Sequence, residues 1–154
     1  MYEHTQHNSR IFVMVGLFGA APQVVLMSLR LHAMTNGVRA VLIAGIVIAL
    51  AAGIIFSSMT IRIDDRNVLW HFGPGVLHKS ASLREVVSAE PTTTHWYDGL
   101  GVHLTDRGWL YNIGGRQAVL ITMQDGRRFL LGTDEPMVLA ERVRQHVTIR
   151  RPRS

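Results

Sequence analysis

The chain has 154 residues, no cysteine and a formal charge of +5. That length accommodates one helical hairpin and one small aqueous domain, not two independent globular cores. The lack of cysteine excludes a disulfide framework, a thiolate metal site and a thiol nucleophile, and it fits a reducing compartment.

Residues 1–10 read as an N-terminal tail, followed by a transmembrane helical hairpin over 11–58. Its two apolar stretches, 11–29 and 41–57, are about 19 and about 17 residues long. At 1.5 Å per residue, this is what a ~30 Å hydrocarbon layer requires. Arg10 ahead of an apolar run that contains Gly19, Ala20 and Ala21 has the outline of a secretory signal. The run continues past those residues, Pro22 occupies the cleavage region and a second span follows at once, so the reading is a retained anchor.

Gly16 and Ala20 lie four apart on the first span, and Gly45, Ala49 and Gly53 form a longer ridge at the same spacing on the second. Small residues at this spacing let helix backbones approach closely in lipid. The ridges therefore predict that the two spans pack together or against a membrane partner's spans, including a second copy. Pro22 predicts a kink, and Gln23, the one strongly polar side chain deep in either span, predicts a hydrogen bond to the second helix. Neither span carries an ionisable residue at mid-membrane, which argues against a transport path. Arg30 and Arg39 lie in the connection, against Arg10, Arg62 and Arg66 on the flanks. The balance predicts both termini and the C-terminal domain on the cytoplasmic side of the inner (plasma) membrane.

An aqueous domain over 59–147 follows, where the apolar period changes to two. Ile61/Ile63, Val68/Trp70/Phe72, Val102/Leu104, Trp109/Tyr111/Ile113, Val119/Ile121/Met123 and Phe129/Leu131 fall on alternate positions, and 84–90 reads as a further strand. Turn residues separate them, and Asp125-Gly126 predicts a type I′ hairpin. The sum is seven short antiparallel strands curling into a partly closed barrel. A helix over 134–147 follows, opened by Thr133, Asp134, Glu135 and Pro136, with Met137, Ala140, Val143 and Val147 on its apolar face. It is predicted to close the barrel's open end. Residues 148–154 are a basic tail.

A fold class of α+β results: a two-helix hairpin, a seven-stranded barrel and a C-terminal capping helix. Residues 99–102, 107–112, 118–119 and 126–129, then Gly132-Thr133-Asp134-Glu135-Pro136, resemble the second half of a pleckstrin-homology-like (PH-like) domain. With the hairpin before it, the chain resembles small bacterial membrane proteins that carry such a domain. The resemblance implies a binding or assembly module, with no catalytic residue and no cofactor to carry over.

The remaining chemistry is sparse. Eight histidines occur without a His-Glu-x-x-His helix, a cysteine partner or a compact carboxylate cluster, so no metal site is predicted. The basic residues lack interleaved aromatics, which argues against nucleic acid. Arg150, Arg151 and Arg153 are candidates for anionic headgroups, and Trp96 and Tyr97 for a headgroup-level anchor or a protein contact. The expected function is a non-enzymatic, membrane-anchored module that binds protein or anionic lipid. The competing reading is a small membrane enzyme or transporter accessory subunit with a polar site near His95, Asp98 and His103.

Overall fold

Both apolar stretches are helical in the computed structural model, which describes residues 1–30, 34–95, 98 and 101–148. The first runs through α1 (Ser9–Met14), a π-helical segment (Val15–Ala20) and α2 (Ala21–Arg30); the second is α3 (Asn36–Phe56). Two 21-residue runs, Ser9–Leu29 and Asn36–Phe56, are long and apolar enough to span a bilayer. Caps extend both beyond the hydropathy breaks. The Asn8 side-chain oxygen accepts the Arg10 N–H, and the Thr35 hydroxyl accepts the Val38 N–H, so α3 takes in Arg39 as well.

The π-helical segment ends at Ala20, two residues before Pro22. The Ala21 N–H bonds to the Gly16 carbonyl five residues back. The wider turn relieves the clash a proline ring makes with the carbonyl four residues earlier. It also changes which side chains face α3. Ala20 is buried as the ridge requires, but a Cβ on Gly16 would meet nothing within 4 Å, whereas one on Gly19 would meet the Ala49 methyl at 3.1 Å. Gly53 lies against Phe12 and Val15, and Gly45 against the Gln23 carboxamide. Gln23 does not bond across to α3 as its polarity predicted: it donates to the Gly19 carbonyl of its own helix at 2.9 Å.

Residues 2–7 are not a tail. They form β1 (Tyr2–His7), antiparallel to β2 (Ser58–Ile63), with Tyr2 opposite Ile63 and His7 opposite Ser58. Alternation is present, but two of the partly buried positions are His4 and Gln6, so a hydrophobic pattern does not reveal the strand. The helical hairpin is thus inserted between two neighbouring strands, and the Asn8 N–H closes its base on the Ser57 carbonyl at 2.7 Å. Both helical runs leave the same end of one sheet.

That sheet has the order β1-β2-β3-β4, with β3 (Asn67–Phe72) and β4 (Leu77–Ser82). A second sheet has the order β5-β8-β9-β7-β6: β5 (Val86–Thr93), β6 (Gly101–Thr105), β7 (Gly108–Asn112), β8 (Gln117–Met123) and β9 (Arg128–Gly132). Its pairs are antiparallel except β7 with β9, which is parallel. The described residues therefore hold nine strands in two sheets, with no closed barrel, in place of the seven-stranded barrel predicted. The predicted type I′ turn is also absent: of Asp125 and Gly126 only the glycine has a positive φ, +84°, and the Asp125 carboxylate accepts the Arg127 N–H.

The two sheets and α4 (Pro136–Thr148) share one core that includes Trp70, Phe72, Val119, Ile121, Leu131, Leu139 and Val143. Ile11 belongs to it, and Ile55 and Phe56 pack against it, so the helical hairpin and the sheets are one packed unit at their junction. The buried face of α4 is Leu139, Ala140 and Val143; Met137, placed on that face by its spacing, is 69% exposed in the first turn. The helix lies on β5 and β8 rather than over a barrel mouth. The gap between the edge strand β4 and the β6–β7 hairpin stays open.

Candidate functional site

That gap is a cleft of about 590 Å³. Its floor is aromatic. Trp70 of β3 stacks on Phe129 of β9 at 5.0 Å between centroids and meets Tyr111 of β7 edge-on at 5.1 Å. One wall is β4, with Lys79, Ser80, Ala81 and Ser82 in succession; the other is Leu104 of β6 and Trp109 of β7. Because side chains alternate across a strand, four consecutive residues on one wall mean that the main-chain edge of β4 borders the cleft. Leu104 and Trp109 are 67% and 49% exposed, although Trp109 alternates with Tyr111, which packs on the core, and with the buried Ile113. The first sheet ends at β4 and does not reach far enough to cover them.

The local sequence explains the geometry. Gly108 has φ +121°, and a Cβ there would collide with the Arg128 carbonyl. A glycine at this point lets β7 run alongside β9 with Trp109 turned into the cleft. Burial raises the Tyr111 phenol above its ordinary value. The rim carries Lys79, Arg127 and Arg128 against Glu85, with Arg127 held by Asp125 at 2.5 Å.

The polar residues singled out from sequence lie elsewhere. Asp98 is buried; its carboxylate accepts the His95 N–H at 2.7 Å and lies 3.7 Å from the Arg107 guanidinium. Arg107 also donates to the Thr92 hydroxyl and the Thr93 carbonyl, each at 3.0 Å. Because β5 and β6 are opposite edges of their sheet, an Arg107 in the β6–β7 turn that reaches the end of β5 requires that sheet to curl. Asp98 thus links the His95 amide to the Arg107 turn. His103 Nε2 is buried without a hydrogen-bond partner among the described residues, and neither His103, His95 nor Asp98 lines the cleft. Among the described residues no group of three or more His, Asp or Glu side chains could hold a metal ion.

Trp96, Tyr97, Arg150, Arg151 and Arg153 lie outside the described residues. Ala20, Gly45, Ala49 and Gly53 are engaged within the hairpin, while Gly16 is not. The sequence pattern does not mark the cleft itself. Its signal is the polar stretch after Leu77, which alternates too weakly to mark β4, together with Leu104 and Trp109, which read as ordinary core. No protein-family model matches this chain, and no curated protein matches it.

Proposed function

We propose that this chain is a non-enzymatic, membrane-anchored module of PH-like type that binds an extended segment of a protein partner in the cleft between β4 and β6. The observation that carries this reading is the open main-chain edge of β4 facing Leu104 and Trp109 across an aromatic floor. An added strand gains main-chain hydrogen bonds from such an edge and specificity from alternate side chains entering the pocket. The basic rim favours acidic residues in that segment. The helical hairpin confines the search for a partner to the bilayer, here read as the inner (plasma) membrane with the domain and both termini cytoplasmic. The basic residues Arg150, Arg151 and Arg153 add attraction to anionic headgroups, on the order of 1 kcal/mol per basic residue.

The test places a photoreactive amino acid at Leu104 in the full chain, in native membranes, and another at Arg66 in the exposed β2–β3 turn. A discrete protein adduct from position 104, weakened by Ser80→Pro on the β4 edge, supports the reading. Lipid adducts alone from position 104 transfer the cleft to lipid binding, and equal labelling from the two positions overturns the proposal.

A further inference from the structure

The turn between β3 and β4 carries an apolar surface of its own. Its sequence, Gly73-Pro74-Gly75-Val76-Leu77, contains no charged residue, and Val76 and Leu77 are 57% and 45% exposed. An exposed turn with no polar side chain is unusual where water is the only neighbour.

The depth of this turn is fixed by α3. The Gly73 N–H donates to the Ser58 carbonyl at 2.9 Å. Gly73 has φ +51°, and a Cβ on it would lie 2.9 Å from both Cα and the carbonyl oxygen of Ile55. The turn's backbone therefore touches the backbone of α3 one residue before that helix ends at Phe56. At 1.5 Å of rise per residue, Gly73 is level with the last turn of the apolar helix and not beyond it. A bilayer crossed by α3 reaches the side chains that leave this turn.

We propose that the β3–β4 turn docks on the bilayer that holds α3, with Val76 and Leu77 seated at the boundary between headgroups and acyl chains. This rests on the reading that α3 spans a membrane. The occupant is the lipid surface of the same bilayer, because the turn's backbone lies against Ile55 in the last turn of α3 and its side chains Val76 and Leu77 are apolar and exposed. The contact has a mechanical consequence. The two covalent junctions, at Asn8 and Ser57, are hydrogen-bonded to each other at 2.7 Å and so lie side by side at one edge of the domain. A lipid contact at the turn adds to the packing of Ile11, Ile55 and Phe56 in holding the tilt of the sheets, and it sets the membrane end of β4, the wall of the cleft.

The chain has no cysteine, so single cysteines introduced by Ile48→Cys, Val76→Cys, Leu77→Cys and Asp125→Cys take a nitroxide label cleanly. Ile48 is exposed in the middle of α3. Asp125 lies in the β8–β9 turn, at the opposite end of β8 from the Gly114 contact with Asn8. In reconstituted full-length protein, collision rates with oxygen and with a water-soluble nickel chelate give the depth of each label. The expected order is deep at 48, interfacial at 76 and 77, aqueous at 125. A label at 48 that is deep while 76 and 77 match 125 overturns this inference and leaves the spanning helix standing. A label at 48 that matches 125 overturns the spanning helix, and this inference with it.

Discussion

Asn8 joins the first apolar helix to both sheets, and its removal should be felt throughout the fold. Its side-chain oxygen accepts the Arg10 N–H at 3.1 Å and caps α1; its amide donates to the Ile113 carbonyl at 2.7 Å. Asn8→Ala deletes the cap, a loss of ~1 kcal/mol. It also leaves the Ile113 carbonyl without that donor, costing about 1–2 kcal/mol where the group is shielded from water. The sum is about 2–3 kcal/mol. Asn8→Ser keeps an acceptor for the cap but not the donor, so it should recover roughly 1 kcal/mol of that loss. Urea unfolding in detergent, followed through tryptophan fluorescence, reads both as shifts in midpoint at constant slope. A Cβ on Gly114 would collide with the Asn8 amide, so Gly114→Ala should cost less in the Asn8→Ala background than alone. An Asn8→Ala variant within about 0.5 kcal/mol of wild type would refute the reasoning. So would an Asn8→Ser variant as damaged as Asn8→Ala.

Three further outcomes are expected. Gly73 and Gly75 both have positive φ, but only at Gly73 would a Cβ press on the Ile55 backbone; Gly75 faces open space. Each alanine should cost roughly 1–2 kcal/mol for the left-handed conformation, and the excess for Gly73→Ala in the same unfolding assay measures the contact with α3. In the hairpin, Gly45→Leu should lower resistance to SDS unfolding because of the Gln23 carboxamide, while Gly16→Leu should leave it close to wild type. Burial and then the adjacent Glu135 carboxylate push the Tyr2 phenol up to about 12 from its ordinary 10.0. Because the raised value belongs to the folded state, the neutral phenol's contribution is complete below about pH 10 and is lost as pH rises toward about 12. Tyr2→Phe should flatten the fall in urea midpoint over that window, and an unchanged slope would assign the fall to other groups.

The legible parts of this fold are those whose side chains repeat a burial pattern in hydrophobic residues. The helical hairpin follows from two apolar runs, and β3, β8 and β9 from Val68/Trp70/Phe72, Val119/Ile121/Met123 and Phe129/Leu131, all of which are core or nearly so. Strand β1 is hidden because its partly buried side chains include His4 and Gln6, and β4 because four of its six residues are exposed at a sheet edge. Gly45 and Gly53 were visible as packing positions. Gly19 was not, since the phase change at Val15–Ala20 belongs to the backbone and has only Pro22 as a sequence mark. The cleft was illegible for a different reason: its walls come from opposite sheets, and alternation reports which side chains share a face without reporting where the facing sheet stops.

The most direct test of the binding function is hydrogen exchange on the full chain, in native membranes and after purification in detergent. The sheet β1-β2-β3-β4 supplies its own control, because β1 is its other edge. An occupant in the cleft slows exchange at residues 79–82 and at Leu104 in native membranes and leaves the amides of Glu3 and Thr5 unchanged. Equal exchange at both edges in the two preparations would contradict a ligand-binding cleft.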